Sequence, residues 1–236
     1  MHVRQLLIKI TGLRKVYTED DGVPVEALRG IDLEIREGEF TAVVGPSGSG
    51  KTTLLNLISG LDIPTDGSIE LAGRRVESMS DRELADFRRD HIGFIFQAHN
   101  LIPVLTVREN VEYVMLLQGV EPAERSRRIR RVLEELGLAE MEDRFPTQLS
   151  GGQQQRVAVA RAVVTQPQLV LADEPTANLD SVNGRALIAM MRKLNEEHGT
   201  TFIFSTHDPM IMEQARRLIV LQDGRIAQDE WRDRRE

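Results

Sequence analysis

The stretch GPSGSGKT, from Gly45 to Thr52, constrains this chain more than any other. Its glycines open backbone torsions that are closed to other residues. Phe40–Val44, FTAVV, comes just before it and reads as a short, buried strand. From Lys51 to Ser59 the apolar residues recur at helical spacing, with Gly60 as the stop. A glycine-rich turn between a strand and a helix is the context in which G-x-x-x-x-G-K-[ST] holds phosphate. Gly45, Gly48 and Gly50 let backbone N–H groups point inward, and the helix N-terminus adds the positive end of its dipole. Lys51 supplies a point charge between β- and γ-phosphates, and the Thr52 hydroxyl is suited to Mg²⁺. The candidate nucleotide contacts here are Gly45, Pro46, Ser47, Gly48, Ser49, Gly50, Lys51, Thr52 and Thr53.

The rest of the chain reads as a frame for that turn. Gln5–Val16 and Ala27–Ile35 alternate as half-buried strands, the second ending at a Glu37-Gly38 turn. Ser68–Leu71, after an Asp66-Gly67 turn, Ile92–Phe96, Leu169–Ala172 and Thr201–Ser205 are further strands. A helix ends at Gly199 before the last of them. Buried apolar strands alternating with helices predict an α/β fold with a parallel sheet covered on both faces. Thr106 to Glu109 has capping-box spacing. Pro122 opens a helix whose Ile129, Val132, Leu133 and Leu136 share one face, stopped by Gly137. The expected domain plan is one unit, with residues 1–85 and 166–236 as core and about 86–165 as a helical insert. Thr18–Gly22 and Gln228–Glu236 read as a solvated loop and a frayed tail.

Two more segments carry chemistry. QLVLADEP, Gln168 to Pro175, is an apolar strand ending in adjacent carboxylates, Asp173 and Glu174. Side chains alternate along a strand, so the two point differently. One can hold Mg²⁺ through water while the other orients or deprotonates an attacking water, a division that suits phosphoryl transfer. LSGGQQQR, Leu149 to Arg156, opens another helix with exposed glycines and is a second phosphate-type N-terminus. A single ATP does not need two nests in one chain. The economical reading gives this one, with Ser150, Gly151, Gly152 and Gln153, to an ATP held by another subunit.

Composition narrows the partners. The 236 residues carry a net charge of −7, which disfavours general binding to nucleic acid or anionic membranes. The arginine run Arg125, Arg127, Arg128, Arg130 and Arg131 lies opposite an apolar stripe and precedes Glu134 and Glu135, as a solvated helix face does. With no cysteine, disulfides and thiolate chemistry are excluded. No apolar run approaches the ~18 residues a spanning helix needs, and the N-terminal residues lack a signal-peptide pattern. A cytoplasmic chain is expected, with no direct membrane insertion; any work at a membrane needs a partner to hold it there.

LSGGQ lying between GPSGSGKT and LADEP resembles the ATP-binding subunit of an ABC transporter, over nearly the whole chain. The stretches VEALRGIDLEIREGEF, LLNLISGLDIPTDG, RRDHIGFIFQAHNLIPVLTVRENV and ADEPTANLDS are most similar to the MacB/LolD-like group. The resemblance implies a RecA-like P-loop NTPase sheet core, an N-terminal antiparallel β subdomain and a helical insert subdomain bearing the LSGGQ signature. It implies ATP and Mg²⁺ as cofactors and ATP hydrolysis as the activity. Tyr17 takes the place of the aromatic that stacks on adenine, Gln97 that of the glutamine contacting Mg²⁺ and water, Asp180 that of the aspartate at the dimer interface, and His207 that of the switch histidine. Glu174 is then the residue activating water. The implied partners are a second copy, dimerising head to tail around two ATPs, and an integral-membrane permease that places the chain at the cytoplasmic face of the membrane. His2, His91, His99 and His198 have no such context and read as surface residues. A sugar-importer ATPase usually carries an added C-terminal domain, and repair-type ABC proteins a long coiled coil; neither pattern is present. A cell-division signalling ATPase has nearly the same architecture and stays open. After Gln97, Leu101, Ile102, Val104 and Leu105 make the segment Ala98–Val107 too apolar for a loop meeting only water; these side chains either pack inside the helical insert or line a groove for a short helix of the membrane partner.

Overall fold

The computed structural model describes residues 5–18 and 22–232. His2 and residues 19–21 and 233–236, which belong to the expected surface histidines, loop and tail, lie outside them. β1 (Leu6–Tyr17) and β2 (Val25–Arg36) pair antiparallel from Leu6 against Arg36 to Tyr17 against Val25. The chain then crosses into β3 (Phe40–Val44), turns through the glycine loop and enters α1 (Lys51–Ile58). It returns to the first sheet through β4 (Asp66–Leu71) and the short β5 (Arg74–Arg75), giving the order β2-β1-β4-β5. α2 (Asp81–His91) leads into β6 (Ile92–Ile95). α3 (Val107–Leu117), α4 (Pro122–Glu135) and α5 (Gly151–Val163) follow. β7 (Leu169–Asp173), α6 (Ser181–His198), β8 (Thr201–Thr206) and α7 (Pro209–Gln214) precede a closing hairpin of β9 (Arg217–Gln222) and β10 (Arg225–Trp231). The second sheet runs β10-β9-β3-β8-β7-β6, parallel throughout except for β10.

Alternation along the parallel strands divides the core in two. Phe40, Ala42 and Val44 of β3 face the same way as Phe202 and Phe204 of β8 and Val170 and Ala172 of β7, and pack under the helices of the second half. Val43, Leu169, Leu171, Ile203, Ile219 and Leu221 face the other way, against α1, α2 and the antiparallel sheet. A buried strand with two greasy faces is what a parallel sheet between two layers requires. Each of these fully buried Phe, Leu and Ile side chains contributes about 1.5–3 kcal/mol of transfer free energy.

Local signals place the helix ends. Both predicted capping residues of α3 act, Thr106 accepting from the Glu109 N–H while Glu109 reaches back to Thr106. Pro122 sits in the first turn of α4, and Gly199, at φ 71°, ends α6 in the left-handed conformation.

Three expectations need correction. β6 lies inside residues 86–165, yet it is the edge strand of the parallel sheet, so the helical excursion leaves the sheet only after Ile95. β4 begins at Asp66, where a turn was expected; a Cβ on Gly67 would come within 2.5 Å of the Gly12 carbonyl, and that close approach draws the turn residues into the ladder. Gln228–Trp231 is strand, not frayed tail. β10 is held by Arg217, which pairs bidentately with Asp229, contacts buried Glu39 at 3.0 Å and lies 5.1 Å from the Trp231 ring centroid.

Candidate nucleotide-binding site

The glycine loop is packed from three sides. A Cβ on Gly45 would sit 2.0 Å from the Leu221 carbonyl, and one on Gly50 2.7 Å from the Ala27 carbonyl. Gly50, at φ 102°, is the left-handed N-cap of α1. The Gly224 N–H donates to the Ser49 carbonyl at 3.2 Å and the Arg29 N–H to the Gly224 carbonyl at 2.8 Å, so the β9–β10 turn braces the loop against β2. Only glycine admits such approach, and the result is a rigid cradle. Lys51 is largely buried, and its Nζ spans the loop to the carbonyls of Gly45 (2.9 Å) and Pro46 (3.0 Å).

This loop forms one wall of a cavity of about 860 Å³. Gly45, Pro46, Ser47, Gly48, Gly50, Lys51, Thr52 and Thr53 line it, together with Gln97, Glu174 and His207. The expected phosphate, water-activating and switch positions therefore meet in one place. Ser49 is the exception within the loop: it is buried, and its Oγ has no hydrogen-bond partner. Asp173 sits beside the cavity, its carboxylate 3.2–3.3 Å from the Thr52 hydroxyl. A hydroxyl and a carboxylate facing each other form an all-oxygen pair, the donor chemistry that Mg²⁺ prefers.

Glu174 is held with care. It has φ 47°, a left-handed conformation that costs a non-glycine residue about 1–2 kcal/mol. Its N–H donates to the Ser205 carbonyl at 2.9 Å, which turns the chain out of the sheet. The side chain shares a 2.8 Å hydrogen bond with Nδ1 of His207 and accepts one from the Thr206 hydroxyl at 3.3 Å. Strained backbone persists where surrounding contacts over-determine it, as they do here.

Six other expected residues stand elsewhere. Ser150 caps α5, accepting from the Gln153 N–H, while Gln153 accepts from the Ser150 N–H; Gly151 faces open space. Gly152 lies beside Asn183, and Asn183 donates to Asp180 at 2.6 Å. Ser150–Gln153 and Asp180 thus form a second cluster, absent from the walls of the nucleotide cavity. The N–H groups of Asn183 and Val182 and the Asn183 amide hold the Asp180 carboxyl below its ordinary pKa. Tyr17 is also outside the cavity wall, although its cross-strand partner Val25 is in it. The histidines expected on the surface are more engaged: His91 packs on Phe87 and bonds Gln168, His198 meets Glu135 at 3.5 Å, and His99 is part-buried, which lowers its pKa.

Several contributors carried no readable mark. Buried Gln155 donates to the Pro175 carbonyl at 2.8 Å and reaches the Phe96 carbonyl at 3.5 Å, tying the end of β7 to the segment before Gln97. Thr176 donates to Asp208 at 2.6 Å, joining the loops after β7 and β8. Asp223 and Gly224 line the cavity; their Asp-Gly pairing was a turn signal that could have located them.

The ABC transporter family profile matches residues 28–177. The chain belongs to the ABC transporter family. It is an ATP-binding, ATP-hydrolysing cassette of that family. MJ0796, an ABC transporter ATP-binding protein of Methanocaldococcus jannaschii, is 44% identical over 228 residues, covering 95% of this chain and 97% of that one. Its dimeric structure in a post-hydrolysis state, bound to ADP and Pi, matches with TM-score 0.87 at 41% identity, covering 97% of this chain and 100% of that chain. The lipoprotein-releasing system ATP-binding protein LolD 1 of Rhodopseudomonas palustris is 45% identical, with 94% of this chain and 98% of that protein covered. The macrolide export ATP-binding/permease protein MacB of Rhodopirellula baltica is 47% identical over 94% of this chain, which spans only 33% of that longer protein. Among the described residues no helix is long and apolar enough to cross a membrane.

Proposed function

We propose that two copies of this chain close head to tail around two ATPs and that the closing and reopening drive a separate membrane permease of the MacB/LolD-like kind. The observation that carries the reading is the separation of the two helix N-termini. α1 meets the nucleotide cavity, whereas the α5 end, with exposed Ser150 and Gly151, has none of its signature residues in that wall. A capped, glycine-bearing N-terminus turned to solvent is suited to the γ-phosphate of an ATP held by a partner.

In this reading Lys51 and the loop N–H groups bind the β- and γ-phosphates. Thr52 and Asp173, the latter through water, together with Gln97, would hold Mg²⁺, which when bound neutralises charge on the phosphate oxygens. Glu174 accepts the proton of the attacking water. His207, hydrogen-bonded to Glu174, fixes that carboxylate and reaches the γ-phosphate. Asp180, next to the signature helix, contacts the partner across the interface. LolD and MacB are named for lipoprotein release and macrolide export, which supports a permease that exports or translocates lipoproteins, peptides or drugs. The chain then works at the cytoplasmic face of the membrane, held by its permease.

Mixing two inactive variants tests the shared site. Lys51→Ala removes a phosphate contact and Ser150→Arg fills the α5 N-terminus. In a head-to-tail heterodimer one site carries both lesions and the other neither. Mixing should restore up to about half of wild-type activity per mixed dimer. Loss of ATP binding by Ser150→Arg alone, or no recovery on mixing, overturns the arrangement.

A further inference from the structure

Tyr17 ends β1 outside the cavity wall, paired with Val25, which lines it. Its hydroxyl donates to Asp62 Oδ2 at 2.7 Å. Lys15 lies two positions earlier, on the same face of the strand. Its Nζ donates to Asp62 Oδ1 at 2.6 Å and to the Ile63 carbonyl at 2.8 Å, and it stands 4.8 Å from the Tyr17 ring centroid. Asp62 also accepts from the Ile63 N–H at 2.7 Å. One carboxylate therefore grips both the edge of the aromatic ring and the cation that covers one of its faces. Tyr17 still exposes 39% of its surface, which leaves the ring a face for a stacking partner.

We propose that Asp62 and Lys15 are positioning residues that clamp Tyr17, so that the base of the nucleotide stacks on a ring already held in place. The inference rests on the reading of Tyr17 as the platform for adenine. Without the clamp, Tyr17 would end β1 with its side chain free to change rotamer, and binding would have to order it. Immobilising one such side chain costs enough to change affinity about two- to tenfold. A cation over a tyrosine face is attractive in its own right, and the Lys15–Asp62 pair adds no net charge beside the base. Burial and the hydrogen bond to Asp62 raise the Tyr17 pKa; the Asp62 carboxyl, despite partial burial, is held low by Lys15 and Tyr17. The phenol is thus the donor and the carboxylate the acceptor at neutral pH.

The test uses the full chain and two probes, Mg-ATP and Mg-tripolyphosphate, which lacks a base, with affinities measured by calorimetry. Tyr17→Ala should weaken ATP about tenfold or more and leave tripolyphosphate unchanged. Tyr17→Phe and Asp62→Ala should each weaken ATP about threefold, and Lys15→Met by a similar factor. Combining Tyr17→Phe with Asp62→Ala should be no worse than Asp62→Ala alone, because Asp62→Ala already removes the contact that Tyr17→Phe breaks. In steady state Asp62→Ala should raise KM for ATP by the same factor with kcat retained, a split that general loosening of the fold would not give. If Tyr17→Ala binds ATP like wild type, the platform reading falls and the clamp with it. If Tyr17→Ala is weakened while Tyr17→Phe, Asp62→Ala and Lys15→Met are normal, the platform stands and the clamp is refuted. Equal weakening toward tripolyphosphate also refutes it, and the Tyr17→Phe and Lys15→Met arms decide the matter even if Asp62→Ala folds poorly.

Discussion

Replacing Glu174 by glutamine separates binding from hydrolysis. Glutamine has the same shape, and both residues are equally strained at φ 47°, so the backbone cost cancels. The hydrogen bond to the Ser205 carbonyl is made by the main chain and survives. The change is confined to the two side-chain contacts, 2.8 Å to His207 and 3.3 Å to Thr206. Exchanging a charge-assisted hydrogen bond for a neutral one costs about 1 kcal/mol, so the melting temperature should move by only about 2–4 °C. Loss of the proton acceptor is far larger. General-base catalysis is worth about 10²–10⁴ in rate, or about 2.7–5.4 kcal/mol of barrier. Lys51, Thr52 and Asp173 are untouched, so ATP should bind at least as tightly as before. Steady-state phosphate release should therefore fall at least a hundredfold, while size-exclusion chromatography with ATP, with and without Mg²⁺, reveals a trapped dimer. Turnover within threefold of wild type would refute Glu174 as the activating residue.

Three further outcomes follow from named contacts. Lys51→Ala loses both the phosphate charge and the two bonds that span the loop, and ATP affinity by calorimetry should drop at least tenfold; unchanged affinity would sink the phosphate assignment. Gly45→Ala must move the Leu221 carbonyl away from a 2.0 Å contact, so urea unfolding should show a loss of about 1–3 kcal/mol with nucleotide binding impaired; full stability would show the loop is less tightly braced than described. The apolar segment after Gln97 divides by burial: Leu101 packs against the core, whereas Val104 is 77% exposed. Val104→Asp should weaken a permease pull-down with ATP binding intact and Leu101→Asp should lower stability; normal assembly with Val104→Asp would end the docking idea for that residue.

The segments legible in advance are those whose signals act over a few residues. Thr106 and Glu109 announce a helix start because one side chain and one N–H three positions on satisfy each other. α2 shows no apolar stripe although Ser80 and Glu83 form the same box; its sequence is so charged that only Leu84 and Phe87 are buried. β10 is equally hard to read from its residues alone. Nearly every side chain on it is exposed, and what makes it a strand is its ladder with β9 and the grip of Arg217 on Asp229.

The sequence by itself determined the glycine turn with its strand and helix, the buried period-two strands, the helix caps and the chemistry available at Lys51, Thr52, Asp173, Glu174 and Ser150. Each of these follows from torsional freedom, burial pattern or side-chain type within a short window. Only the tertiary structure decided who meets whom. Thr52 faces Asp173 across 121 positions, and His207 reaches Glu174 across 33. Those meetings arise because β3, β8 and β7 are neighbours in the sheet, with their C-terminal ends opening on one cavity. The same packing leaves the α5 N-terminus beside Asn183 and away from that cavity. Sheet order is set by which apolar faces bury one another over the whole chain, and no local stretch carries that information.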